Sequence, residues 1–226
     1  MKRLELFGLE GIAEVNAGDS IGALICDVCA RQGIELADDD VFVVAQKVIS
    51  KAEGRMVRLD DVKPSARARQ LAQELDKEAE LVEVILGESR KVIRTGGRAL
   101  IVETHHGFVC ANAGVDQSNV GLGQVALLPK DADHSAREIR REIQTRTGKS
   151  VGVIISDSFG RAWRVGTADV AVGVDVSLRY DHTAVVVAHA REDGTVAVQA
   201  KVWEPTPDLK MDAGAVKAHI RQLART

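Results

Sequence analysis

Three short polar stretches, each beside an apolar run, hold most of the residues in this chain that could do chemistry. Residues 46–55 carry Lys47, Lys51 and Arg55 with the hydroxyl of Ser50, directly after the apolar run 41–45. Cations gathered on one short segment suit a polyphosphate, although on sequence alone an ordinary solvated, charged loop is the favoured reading. Residues 112–119 surround one carboxylate, Asp116, with small residues and carboxamides. Gly114 permits a tight backbone there. Asp116 with neighbouring oxygens suits a hard cation or, just as well, a turn in which Asp and Asn bond their own backbone. Residues 156–164 place Asp157 and Ser158 after the apolar run 151–155, with Arg161 and Arg164 close behind. A carboxylate and a hydroxyl at a strand end can hold Mg2+ or Mn2+ against phosphate oxygens, and the arginines can clamp phosphate or carboxylate in bidentate fashion. The plainer alternative is a capped loop with two surface arginines.

Other candidates carry less. His105 and His106 are adjacent, and neighbours on a strand point to opposite faces, so they read as hairpin-turn residues rather than joint ligands. Cys26 and Cys29 form a C-x-x-C pair within a stretch of helical apolar spacing, residues 20–32. They read as small buried side chains on a helix, since no second ligand pair at zinc spacing accompanies them. No G-x-x-x-x-G-K-[ST] or G-x-G-x-x-G loop and no Ser/His/Asp hydrolase motif is present.

The elements that would position these residues follow from pattern. Strands are expected at 4–6, 41–45, 98–103, 108–111, 125–128, 151–155 and 170–176, with 151–155 apolar enough to be central and buried on both faces. A hairpin is expected from 183–189 and 195–203 across Glu192-Asp193-Gly194. Helices are expected after the Gly18-Asp19 turn to Gly33, from Pro64-Ser65 to about Glu74, from about Lys77 to Ser89, over 133–147 closed by Gly148, and over 212–225. Strands and helices mix without a βαβ rhythm, so the fold class is α+β, mixed sheets with flanking helices. With 226 residues, 45% hydrophobic and only 3% aromatic, the chain can build one large or two small cores, chiefly from Val, Ile, Leu and Ala. A net charge of −3 gives no broad field for nucleic acid or anionic membrane. The early charges Lys2 and Arg3 are unlike a signal peptide, no run is long enough to span a bilayer, and a cytoplasmic location is expected.

Taken in order, the segments resemble the coenzyme F420-0:L-glutamate ligase family. The likeness lies in Gly8-Leu9-Glu10-Gly11-Ile12, in residues 43–55, in the long block from Glu103-Thr104-His105-His106-Gly107 through Val115-Asp116-Gln117-Ser118-Asn119, in Ile155-Ser156-Asp157-Ser158-Phe159-Gly160-Arg161, and in residues 168–173. It implies a two-domain α+β fold in an intertwined homodimer. It implies GTP-dependent ligation of L-glutamate to coenzyme F420-0, with Mg2+ or Mn2+ and with K+ as a further candidate cation. By position, Ile12, Ala13, Glu14, Val15, Gln46, Lys51 and Asn119 would lie at the GTP. Asp116 and Asp157 would bind one divalent ion and Ser158 a second, with Lys51 and Arg161 serving the transfer itself.

Beyond Gly173 the quoted likeness stops, so the chain divides into a ligase-like nucleotide- and metal-binding region, 1–173, and an atypical segment, 174–226, of hairpin and helix. Family members continue with an acidic stretch that completes the site, and residues 174–187 do not align with it. The tail faintly resembles the start of an RNase H-like nuclease module of phage terminases, with Asp175 on an apolar strand; the favoured reading is a plain hairpin and helix that close the sheet. A fusion or a misjoined reading frame would account for both parts. Three readings therefore stand: an F420-pathway ligase, a GTP- and metal-binding relative without catalysis, and a ligase-like body fused to a nuclease fragment.

Overall fold

A computed structural model describes residues 5–38, 40–97, 99–160, 167–175, 183–190 and 196–203. Two apolar cores organise it, and the sequence folds around each for a different reason.

The first core forms around a three-stranded sheet in the order β1-β7-β8. The strands are β1 (Val41–Ala45), β7 (Gly152–Gly160) and β8 (Thr167–Asp175). β1 and β7 are parallel, with Val41 opposite Gly152, and β8 runs antiparallel to β7. As the apolar run predicts, β7 is central, and Val151, Val153 and Ile155 are fully buried. Helices α1 (Ile21–Gln32) and α5 (Ala132–Thr147) complete this core with Ile25, Cys29, Ala136, Ile139 and Ile143. Ser20 caps α1 by accepting from the Ala23 N–H, and Gly33 ends it in the left-handed region at φ 66°. Asp131 caps α5 through the His134 N–H, and Gly148 closes it at φ 72°. The two helices approach closely at Gly22, where a Cβ would stand 2.9 Å from the Glu142 Cβ. Cys26, Cys29 and Cys110 are all free and buried, in keeping with a packing role for the C-x-x-C pair.

The second core is built between β1 and β7 in sequence. Helices α3 (Ala66–Leu75) and α4 (Ala79–Gly87) pack Leu71, Leu75, Val82 and Ile85 against Leu100 and Val102 of the sheet β3-β4-β5, with Val125 and Leu127. Its strands are β3 (Ser89–Gly96), β4 (Ala99–Thr104) and β5 (Val109–Ala111); a two-stranded ladder pairs β2 (Met56–Arg58) with β6 (Gln124–Ala126). A small cluster of Phe108, Cys110, Leu128 and Val170 packs separately, and Val172 packs against both it and the first core. β9 (Thr183–Ala190) and β10 (Val196–Trp203) form the antiparallel pair that the Asp193-Gly194 turn predicts.

The structure departs from the sequence reading at several places, the short strand β2 being one element that the reading leaves out. Glu5 and Leu6 are not in a strand. The polar stretch 46–55 begins with a helix, α2 (Gln46–Ala52), whose buried positions are Gln46, Ile49 and Ser50. Two of those three are polar, so the helical period has no apolar signature. β3 is a strand that the sequence reading leaves out; it is mostly exposed and has two register shifts, so it shows no alternation. β7 continues past Ile155 to Gly160, so Asp157 and Ser158 lie within a paired strand, opposite Val170 and Asp169, and not on a loop after it. β8 runs without interruption through Gly173 to Asp175. The expected helix over 212–225 lies outside the described residues.

Candidate functional site

α2 is seven residues long and cannot hold itself in place by propensity alone. Buried polar contacts fix it. Gln46 Nε2 donates to Ser50 Oγ (2.6 Å) and to the Leu127 carbonyl (2.8 Å), and Ser50 Oγ donates to the same carbonyl (2.5 Å). Both side chains are at most 1% exposed. Arg55 adds a second tie, donating to the Leu128 carbonyl at 3.1 Å and to Glu88 at 2.8 Å. The helix is therefore registered against the chain leaving β6, and its outer face carries Lys47 and Lys51 one turn apart.

Asp116 approaches from the other side. It bridges to Ala126 through both backbone hydrogen bonds, at 3.0 and 2.8 Å, at the end of β6. Just before it the chain turns through three consecutive left-handed residues, Asn112 (φ 53°), Ala113 (φ 57°) and Gly114 (φ 69°). Such a conformation costs non-glycine residues on the order of 1–3 kcal/mol each, and burial of Ala113 together with the Asn112 Oδ1 contact to the Leu100 N–H holds it. The result is a small oxygen cluster. Lys47 Nζ lies 2.7 Å from Asp116 Oδ2, 2.6 Å from the Ser118 carbonyl and 2.7 Å from Ser118 Oγ, while Asp116 Oδ1 accepts from the Ser118 N–H at 2.7 Å. Partial burial pushes the Asp116 pKa up, but the hydrogen bonds from Lys47 and Ser118 outweigh it, and the net shift is below the ordinary value.

Beside this cluster lies an open cleft of about 590 Å³, a size that fits a nucleotide-scale ligand. Glu14, Val15, Lys51, Asn119, Gly121 and Met56 are among the residues lining it. Lys51 Nζ contacts the Glu14 carboxylate, and Asn119 sits in the left-handed region at φ 52°. Four of the residues expected at one ligand thus share one cleft. Ile12 and Ala13 are exposed on the adjoining segment and do not line it. Gln46 lies buried in the helix clasp, and its Oε1 finds no hydrogen-bond partner among the described residues.

Asp157 is half-buried on β7, and its charge reaches Cys110 on β5. Burial first, and that carboxylate second, push the Cys110 thiol up to about 12, so it stays protonated. Ser158 is exposed. Arg161 lies outside the described residues. Among the described residues no group of three or more His, Cys, Asp or Glu side chains gathers as a metal cage. Asp175 is engaged elsewhere: its carboxylate accepts from Arg140 Nε at 2.7 Å and ties β8 to α5. His105 and His106 occupy the β4–β5 turn, and His106 Nε2 meets the Pro129 and Lys130 carbonyls. The sequence reading counts Lys47 only among the cations suited to a polyphosphate and names Ser118 without a role, and it does not pair either with Asp116. The signal that could have found them is the Asp-x-Ser turn together with a lysine one turn before Lys51.

With this arrangement in view, the comparison with known proteins is decisive. A family model described as F420-0:Gamma-glutamyl ligase matches residues 11–198. The chain belongs to that family. The match crosses Gly173 and covers β9 and the start of β10. A coenzyme F420:L-glutamate ligase of Methanothermobacter thermautotrophicus is 47% identical over 171 residues, covering 76% of this chain and 68% of that protein. Proteins of the same name from Methanocaldococcus jannaschii and Methanopyrus kandleri are 43% and 44% identical, each over 76% of this chain and over 67% and 65% of their own length. The chain thus matches about two thirds of the length of these relatives. No helix among the described residues is long and apolar enough to cross a membrane.

Proposed function

We propose that this protein is a GTP-dependent ligase that joins L-glutamate to coenzyme F420-0, working as a cytoplasmic homodimer with Mg2+ or Mn2+ and with K+ as an auxiliary cation. The observation that carries the reading is the shared cleft of Glu14, Val15, Lys51 and Asn119 directly beside the Lys47–Asp116–Ser118 cluster. One face would offer the Lys51 ammonium and the Asn119 amide to phosphates, and the adjoining turn would offer oxygen donors to a hard cation.

The reaction asks for that pairing. A carboxylate is a poor acyl donor until its oxygen attacks the γ-phosphorus of GTP, GDP leaves, and an acyl phosphate forms. The amine of glutamate then attacks the acyl carbon, phosphate leaves and the amine gives up a proton. The first step brings anion against anion, so positioning and charge neutralisation dominate. Lys51 would face the phosphates after leaving Glu14, and Asn119 would orient them by hydrogen bonding. Arg161 would neutralise the charge that develops on transfer. Asp116, with Asp157 and Ser158, supplies oxygen donors of the kind Mg2+ or Mn2+ takes, and the ion would supply neutralisation of the phosphate oxygens.

Calorimetry of GTP with Mn2+ and a turnover assay with and without F420-0 and glutamate test this together. The expected result is ion-dependent GTP binding and GDP release only when both acceptors are present. Absence of GTP binding would sink the reading. A second reading, a relative that binds GTP and metal without catalysis, predicts GTP binding with no turnover in the same pair of assays.

A further inference from the structure

Lys47 is already saturated. Its ammonium has three N–H donors, and three oxygens stand within 2.6–2.7 Å of Nζ: Asp116 Oδ2, the Ser118 carbonyl and Ser118 Oγ. The second Asp116 oxygen is taken by the Ser118 N–H. A carboxylate, a carbonyl and a hydroxyl form the all-oxygen donor set that a hard divalent ion takes, and here a lysine fills it. The backbone beneath Lys47 is fixed by the Gln46 and Ser50 bonds to Leu127, so only the flexible stem of the side chain can vacate the position. A divalent ion and an ammonium on the same carboxylate repel at short range, where screening by water is incomplete.

We propose that Lys47 is a built-in counter-ion that occupies the cation position of Asp116 until a divalent ion displaces it. The exchange has a consequence for the neighbouring cleft. Lys47 and Lys51 lie on one face of α2, and Asn119, next to Ser118, lines the cleft. The released ammonium becomes a second cation for phosphate at the moment the ion arrives, so nucleotide charge is met by two lysines only when metal is bound. The inference rests on Asp116 being a cation ligand, as the proposed function has it.

The full chain, labelled with nitrogen-15 lysine and free of nucleotide, provides the test. An ammonium held by three oxygens exchanges slowly and gives its own signal; Lys47→Met removes that signal and so assigns it, and Lys47→Arg assigns it if the methionine variant does not fold. Titration with Mg2+ is expected to abolish or shift the Lys47 signal in step with ion binding. A signal unchanged at saturating Mg2+, or no Mg2+ binding, overturns the proposal. In a parallel Mn2+ titration, Lys47→Met is expected to bind about tenfold tighter than wild type, and equal or weaker binding counts against displacement. These readouts need no GTP, so a protein that exchanges Lys47 for metal yet turns over no GTP would retain this inference and lose the ligase reading.

Discussion

Two lysines one turn apart on the same helix differ in what holds them. Lys47 and Lys51 are about equally exposed, at 18% and 19%, but the Asp116 opposite Lys47 is 34% exposed, whereas the Glu14 opposite Lys51 is 76% exposed. Lys47 meets three fixed oxygens, all from a turn pinned to β6. Lys51 meets one carboxylate on an exposed segment. Exposed pairs of the second kind contribute little to stability because solvent screens them and ordering two long side chains costs entropy. The same sequence chemistry, a lysine facing an acid, therefore yields a latch in one place and a readily released cation in the other. A residue that meets phosphate without a trigger must be available at once, which fits Lys51; one that yields only to a divalent ion must be held until then, which fits Lys47.

The sharpest way to break this contrast is Asp116→Ala. It removes the cation ligand and leaves Lys47 unmatched, and ion-dependent GTP binding measured by calorimetry should fall about a hundredfold. Retained affinity would reduce Asp116 to a turn residue. Next in size is the packing of β8 against α5 within the first core. At Gly173 a Cβ would stand 2.3 Å from the Ala132 carbonyl oxygen, and the obstacle is backbone. Gly173→Ala should therefore lower stability in urea by about 2–3 kcal/mol. Gln46→Ala releases part of the α2 clasp and should cost about 2 kcal/mol by the same measurement; a neutral result would mean that Ser50 and Arg55 register the helix without it. Lys51→Ala is expected to weaken GTP about tenfold, the loss of a charge-assisted hydrogen bond, with unfolding stability within about 0.5 kcal/mol of wild type.

The smallest effect is on pH. The folded-state pKa of Asp116 lies below its ordinary 3.8, so the unfolded chain holds its proton at higher pH than the folded one. Its contribution is full above that ordinary value and is lost as pH falls through the lowered one. Because the group is about one-third exposed, screening keeps the contribution under about 1 kcal/mol. Asp116→Asn should flatten this part of the acid-unfolding curve, and an unchanged slope would place the acid sensitivity elsewhere.

Much of the frame is legible in the sequence because it is apolar and periodic. The run 151–155, the helix ended by Gly33 and the helix ended by Gly148 announce themselves through burial period and glycine stops. α2 and β3 do not, for opposite reasons. The buried face of α2 is two-thirds polar, satisfied by a carbonyl distant in sequence, and β3 is an edge strand with almost no buried face. At the site, Glu14, Val15, Lys51 and Asn119 are legible through family resemblance and meet in one cleft. The Lys47–Ser118 contacts are not legible, because they depend on three successive left-handed residues that place Ser118 opposite α2. The buried position of Gln46 likewise follows from where β6 ends, which no local pattern in 46–55 encodes.

The parallel pairing of β1 with β7 carries a consequence in time. Val41 finds Gly152 only after the long intervening chain, with the whole second core inside it, has been brought to heel. That inner core rests on contacts closer in sequence, among α3, α4, β4 and β6, and loop-closure entropy favours forming it first. During refolding, pulse-labelled amides of β4 are expected to gain protection before those of β7, and the reverse order would refute the sequence of events. Each half of the site would then mature on its own clock: Asp116 and Ser118 early, with the inner core, and the strand bearing Asp157 only when the outer sheet closes.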